Sequence, residues 1–286
     1  MSAIISNGFA RTLICVIIPA FLLRDVFGQI PPTGGDTGQY ASVNGMEMYY
    51  EVYGEGEPLA LLHGFFGTGF IWRQFIPEWS KHYKLIIPDL RGHGHSTNPL
   101  DTFTHKQAAL DVYALLDHLG IDTFKAAGAS TGGMTLLHMA TQQPERVEAM
   151  VLLGATIYFP EQAREIMRNT AAETISEEQI ERMSKRHVRG REQILALRRQ
   201  FNAFKDNYDD MNFTKPYLST IQARTLIVHG DRDDFFPVEI PVEMYTSIPR
   251  SYLWIIPNGG HVPIEGYVDE YSRRFLEFFR GDWEKQ

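Results

Sequence analysis

The stretch Phe124-Lys125-Ala126-Ala127-Gly128-Ala129-Ser130-Thr131-Gly132-Gly133-Met134 constrains this chain more than any other, because it sets one serine among small residues between a strand-like and a helix-like run. Gly128 and Gly132 stand two residues either side of Ser130. In a tight strand-to-helix turn those positions press against neighbouring backbone and leave no room for a Cβ. Such a turn lifts Oγ out at the edge of a sheet. It also aims the N-terminus of the following helix at the reacting atom, so that the Thr131 N–H can donate to a developing oxyanion. The stretch therefore reads as a nucleophile elbow. A Gly/Ser-rich loop that only joins two elements has the same composition, so the rest of the chain must supply what such a serine needs: a base, an acid to orient it and a second oxyanion donor.

The 286 residues, 44% hydrophobic and 22% charged, suit one large α/β domain with or without an insertion. A formal net charge of -8 argues against a nucleic-acid or anionic-membrane partner, either of which calls for a basic face. The single cysteine, Cys15, excludes an intramolecular disulfide and a cysteine-based zinc site. Arg11 precedes an apolar run, Thr12–Leu23, and a small residue, Gly28, follows it. About a dozen residues make roughly 18 Å of helix against a hydrocarbon core of roughly 30 Å, so no stable transmembrane span is expected. Residues 1–28 instead predict a signal peptide cleaved after Gly28 and a periplasmic or secreted protein, with a cytoplasmic or interface-anchored chain as the alternative. The Pro/Gly-rich residues 29–39 form a linker.

Tyr40–Val43 and Met46–Tyr53 flank Asn44-Gly45 and predict an antiparallel hairpin. Strand patterns follow at Pro58–Leu62, Leu85–Pro88, Phe124–Ala129, Val147–Gly154, Arg224–His229 and Ser251–Ile256. Thr104 and Gln107 predict a capping box for a helix whose apolar positions are Ala109, Leu110, Tyr113, Leu116 and Leu119, ended by Gly120. Gly132–Gln143 and the amphipathic Tyr271–Phe279 are further helices. The alternation implies an α/β fold with a mostly parallel eight-stranded sheet and its reactive loops at the strands' carboxyl ends.

Residues 155–219 lack that rhythm and offer helix-like segments around Glu161–Ala172, Glu177–Val188 and Arg191–Tyr208, which fits a helical cap inserted between core segments 40–154 and 220–286. The cap brings Tyr158, Phe159, Phe201, Phe204, Tyr208, Phe213 and Tyr217; any of them at the entrance would favour an apolar or aromatic group. Lys185, Arg186, His187, Arg189 and Arg191 read as a solvated helix face and its following turn. His93 and His95 lack neighbours to complete a metal's coordination sphere and read as turn scaffolding.

Three aspartates, Asp231, Asp233 and Asp234, follow the strand Arg224–His229, and spacing alone does not choose among them as the orienting acid. His261, behind Gly259-Gly260, is the base, because Ser, Asp and His then each follow a strand in that order.

Five motifs in order resemble those of α/β-hydrolases: His63-Gly64-Phe65-Phe66-Gly67, Asp89-Leu90-Arg91-Gly92-His93-Gly94-His95-Ser96, the elbow at Ser130, Gly230-Asp231-Arg232-Asp233, and His261. The resemblance implies a capped hydrolase in which Phe65 and Thr131 N–H groups form the oxyanion hole, and His63 packs the loop. It moves the choice of acid to Asp233, leaving Asp231 to cap or brace the turn and Asp234 exposed. Ser130, Asp233 and His261 would then act through an acyl-enzyme with no metal or organic cofactor. Serine at position 130 does not look like the haloalkane dehalogenases or epoxide hydrolases of this fold, whose nucleophile is aspartate. Three activities remain: a serine hydrolase of a small-molecule apolar or aromatic ester, lactone or thioester; a carbon–carbon bond hydrolase of the ring-fission type; and a small-molecule receptor with a slow triad.

Overall fold

The computed structural model describes residues 38–285, so the expected signal peptide (1–28) and most of the expected linker (29–39) lie outside the described residues. β1 (Gly38–Val43) and β2 (Met46–Tyr53) pair antiparallel across Asn44 and Gly45. Both turn residues have positive φ, 46° and 75°, the geometry whose twist matches the flanking strands. Strands and helices then alternate: β3 (Pro58–Leu62), α1 (Ile76–Trp79), β4 (Lys84–Pro88), α2 (His105–His118), β5 (Phe124–Ala129), α3 (Thr131–Gln142) and β6 (Val147–Leu153). An insertion carries α4 (Glu161–Arg168), α5 (Glu177–Ser184), α6 (Gly190–Ala203) and α7 (Lys215–Leu218) before β7 (Arg224–Gly230), α8 (Glu239–Ser247), β8 (Ser251–Ile256) and α9 (Val268–Arg280) resume the alternation.

The eight strands form one sheet in the order β1-β2-β4-β3-β5-β6-β7-β8, parallel throughout except for the two pairs that involve β2. The fold is thus α/β, with a mostly parallel eight-stranded sheet and an inserted helical cap. Parallel strands are covered on both faces and so read as nearly continuous apolar runs. Along β3, Leu59 and Leu61 join the core cluster that includes α9 residues, whereas Ala60 and Leu62 join the cluster that includes α2 and α3 residues. β6 divides in the same way, Val151 and Leu153 against Met150 and Leu152. The chain leaves β3 toward β4 on one side and β5 toward β6 on the other, so a crevice opens at the carboxyl ends of β3 and β5.

Local departures from the sequence expectations have physical causes. Leu110 lies outside the apolar stripe of α2, 39% exposed; Ala108, Ala109, Val112, Tyr113, Leu115 and Leu116 are the residues that face inward. The capping box at Thr104 is only half formed. Its hydroxyl accepts the Gln107 N–H at 3.0 Å, but the Gln107 amide donates instead to Asp111 Oδ1 at 2.9 Å. Asp111 is a buried carboxylate already bound by Arg91 at 2.7 Å, and its charge-assisted bond holds the Gln107 side chain away from the Thr104 N–H that a capping box would engage. The cap helices α4, α5 and α6 all stop short of the expected ends. After α6, the Arg164 guanidinium takes the carbonyls of Phe204, Lys205 and Asn207 at 3.1, 2.7 and 3.0 Å, groups that a continuing helix would have used. Among the described residues no helix is long and apolar enough to cross a membrane.

Candidate active site

Ser130 joins β5 to α3 with φ 49° and ψ −113°, a conformation a side chain rarely adopts. Close packing enforces it: a Cβ on Gly128 would stand 2.4 Å from the Gly132 carbonyl carbon, and one on Gly132 2.3 Å from Leu62 O. Backbone bonds from Ser130 N–H to Leu153 O (2.8 Å) and from Met134 N–H to Ser130 O (2.9 Å) hold the turn from both sides.

The loops after β7 and β8 meet beside it. A Cβ on Gly230 would lie 2.2 Å from Gly259 O, so only glycine lets the end of β7 touch the histidine loop. This contact brings His261 between two partners, its Nε2 2.9 Å from Ser130 Oγ and its Nδ1 2.8 Å from Asp233 Oδ2. A carboxylate only accepts, so Nδ1 carries the proton and Nε2 faces the hydroxyl as a base. The other carboxylate oxygen, Asp233 Oδ1, accepts the Phe235 and Phe236 N–H groups at 2.7 and 3.1 Å. Burial works to raise the Asp233 pKa, but the hydrogen bond and charge of His261, the charge of His229 and the Phe235 N–H together hold it below the usual carboxylate range.

Asp231 does not brace this turn with its side chain, contrary to the sequence expectation. Its carboxylate is turned outward, 3.9 Å from Arg232 Nε, while its backbone N–H donates to Ile256 O. The two loop N–H groups converge on Asp233 instead, so the residue that orients His261 also braces its own loop. Asp234 is exposed. His229, which sequence reasoning treated only as the end of a strand, is buried beside the pair. Its Nε2 donates to Phe236 O at 2.8 Å and lies 3.6 Å from Asp233 Oδ2. Its spacing of four residues before Asp233 was the available signal.

On the other side of Ser130, the loop after β3 makes a four-residue turn, Gly64 to Gly67, closed by Gly67 N–H to Gly64 O at 3.0 Å. Gly64 O also accepts the His63 Nδ1–H at 2.8 Å, and His63 Nε2 accepts the Leu90 N–H at 2.9 Å. Two donors on one carbonyl fix that peptide plane, and in a trans peptide the Phe65 N–H must then point the opposite way. A Cβ on Gly64 would come 3.3 Å from Ser130 Cβ, so this peptide borders the serine. Thr131 opens α3, where the first N–H groups have no partner within the helix. Burial pulls the His63 pKa down, and with both nitrogens engaged it is a neutral packing group. His93 and His95 diverge: the first donates to Arg91 O, and the second lies 3.3 Å from Asp89 Oδ2 and stacks on Tyr49.

A continuous arc of rings runs from His261 to the loop after β3. Phe235 lies 4.7 Å from the His261 ring, Phe201 6.4 Å from Phe235, Phe66 5.0 Å from Phe201, and Phe65 5.0 Å from Phe66. Phe201 is the cap's member of this arc. Phe204 meets Phe201 edge-on at 6.0 Å and Phe159 lies 5.5 Å from Phe204, whereas Tyr208 lies outside the arc, its ring 3.8 Å from the Arg164 guanidinium. The basic cluster after α5 is not uniformly solvated, as its composition suggested. His187 is 1% exposed and bridges Phe66 O and Gly94 N–H, both at 3.0 Å.

A parallel α/β sheet that offers a serine, a histidine and an aspartate in one hydrogen-bonded series, each from a loop at a strand's carboxyl end, defines a hydrolase class, and comparison with known proteins agrees. The profile of a family described as alpha/beta hydrolase fold matches residues 57–191. The serine hydrolase BPHL of Mus musculus is 27% identical over 264 residues, 85% of this chain and 87% of that protein. A soluble epoxide hydrolase of Corynebacterium sp. (strain C12) is 37% identical over 117 residues, 41% of each chain. The solved structure of a meta-cleavage product hydrolase from Pseudomonas fluorescens IP01 superposes with a TM-score of 0.70 at 24% identity, covering 86% of this chain and 98% of the other. The chain belongs to the α/β-hydrolase superfamily.

Proposed function

We propose that this hydrolase cleaves carboxylic esters, or the related lactones and thioesters, that carry an apolar or aromatic group. The observation that carries the reading is the series Ser130 Oγ, His261 Nε2, Asp233 Oδ2, with contacts of 2.9 and 2.8 Å. His261 takes the Ser130 proton as Oγ attacks the carbonyl carbon, and Asp233 stabilises the imidazolium that forms. The new C–O bond pushes the carbonyl electron pair onto oxygen, where the Phe65 and Thr131 N–H groups receive it. Collapse of the intermediate expels the alcohol or thiol, protonated by His261, and water releases the acid from Ser130 by the same steps in reverse order. The aromatic arc supports an apolar acyl or alcohol group.

A second reading, carbon–carbon bond cleavage with the same three residues, is favoured by the likeness to a meta-cleavage product hydrolase. A chain-length series of chromogenic esters separates the readings. Turnover by the wild type that Ser130→Ala abolishes supports the esterase. A folded wild type that hydrolyses none of the series removes it, and ring-fission products and then ligand binding become the next assays.

A further inference from the structure

We propose that His187, carried by the cap, is a positioning residue for the oxyanion loop, so that docking of the cap sets the Phe65–Phe66 turn. The inference rests on the reading of Phe65 N–H as an oxyanion donor. His187 lies in the turn after α5, and its ring nitrogens serve two separate core loops. Gly94 N–H can only donate, so the Nδ1 it reaches at 3.0 Å is bare; Nε2 therefore carries the proton and donates to Phe66 O at 3.0 Å.

Phe66 is the residue in need of such a hold. It occupies the third position of the Gly64–Gly67 turn with φ 61°, where turns of this shape ordinarily place glycine. An aromatic residue there is strained and persists only if its surroundings over-determine it. Within the loop, His63 and Gly67 grip one end through Gly64 O. The other end, the Phe66 carbonyl, is gripped by the cap. His187 is itself anchored, because the loop that supplies Gly94 is pinned by a second cap side chain: Gln193 Nε2 donates to Gly92 O and Gly94 O, both at 2.9 Å. Burial pulls the His187 pKa down to about 4, so its bare Nδ1 persists at neutral pH.

The geometry separates the two bonds by substitution. His187→Gln places an amide nitrogen where Nε2 was and keeps the donor to Phe66. His187→Asn places its polar atoms where Nδ1 was, keeps an acceptor for Gly94 N–H and loses the donor to Phe66. The rate of Ser130 labelling by a fluorophosphonate reads the site without knowledge of the natural substrate, since attack places negative charge on the phosphoryl oxygen in the same hole. Folded His187→Asn is expected to label about 10–100-fold more slowly than wild type, below the loss expected from deleting a donor outright, whereas His187→Gln stays within about 3-fold. Kinetics with p-nitrophenyl butyrate should place the Asn defect in kcat rather than KM. Wild-type labelling rates in folded His187→Asn would overturn the inference and leave the hydrolase reading intact. Absence of labelling at Ser130 in the wild type would remove both. Should the Asn variant not fold, His187→Met, which fills the space with no donor for Phe66, takes its place with the same expected loss.

Discussion

Two histidine–aspartate pairs in this molecule share their short contact and differ in what lies beyond it. At the site, His261 Nδ1 is 2.8 Å from Asp233 Oδ2; beneath the cap, His105 Nδ1 is 2.7 Å from Asp210 Oδ2. The His261 side chain is 15% exposed and its far nitrogen meets a serine hydroxyl. The His105 side chain is wholly buried, its Nε2 has no hydrogen-bond partner, and Phe103 and Phe204 pack against the ring. The pair alone is therefore not a reactive device; the group opposite Nε2, and access to it, decide.

Asp210 has a different task. Its carboxylate accepts the N–H groups of His105 and Lys106, the first two residues of α2, while Thr104 takes that of the third, Gln107. Three of the donors that a helix start leaves unpaired are thereby satisfied, two of them by a residue from the insertion. A negative charge at this end also complements the helix dipole. Burial raises the Asp210 pKa, but the charge of His105 and these hydrogen bonds outweigh it and hold the carboxyl below its usual range.

The contrast breaks most visibly in turnover. Asp233→Asn is expected to lower ester kcat by about 10⁴-fold, as loss of the orienting carboxylate does in this chemistry. Asp210→Asn should stay within about 3-fold; a comparable loss there would show that the two pairs are not distinct in function. In urea denaturation the order should reverse, with Asp210→Ala costing about 3–5 kcal/mol because it strands a buried histidine and two helix N–H groups.

Acid sharpens the distinction further. Burial pulls His138, which donates to Asp210 O, down to about 4, and His187 likewise. Both titrate at 6.5 when ordinary, so the unfolded chain binds more protons below that value; stability is full above 6.5 and falls as pH drops toward about 4. His138→Gln keeps a donor and cannot titrate, so its urea midpoint should depend less steeply on pH across that window. The smallest effect belongs to Asp231→Asn. Its outward carboxylate makes no contact with His261, so esterase activity should remain within about 2-fold.

Much of the fold was legible because local chemistry specifies it. β3, β5 and β8 match their expected spans: the first two are buried within the sheet, and the half-buried edge strand β8 is still an apolar run bounded by turn residues. The elbow was legible for the same reason, its glycines being demanded by backbone contacts within and beside the turn. The half-formed capping box at Thr104 and the early ends of the cap helices were not. At the first, Asp111 holds the Gln107 side chain; after α6, Arg164, some forty residues back in the chain, takes the carbonyls. His187 was misread as part of a solvated basic run, because nothing near it in sequence announces a carbonyl 121 residues away.

By itself the sequence determined the succession of strands along the chain, the serine's turn and the set of candidate partners, since these follow from backbone geometry and short-range sterics. Only the tertiary structure decided which aspartate reaches His261, 28 residues along the chain, which ring of the cap joins the aromatic series that starts at His261, and which histidine joins the cap to the loop beneath. Those outcomes depend on where separate loops converge at the sheet's carboxyl edge, and hydrogen bonds a few ångströms long test that convergence more finely than any local pattern encodes it.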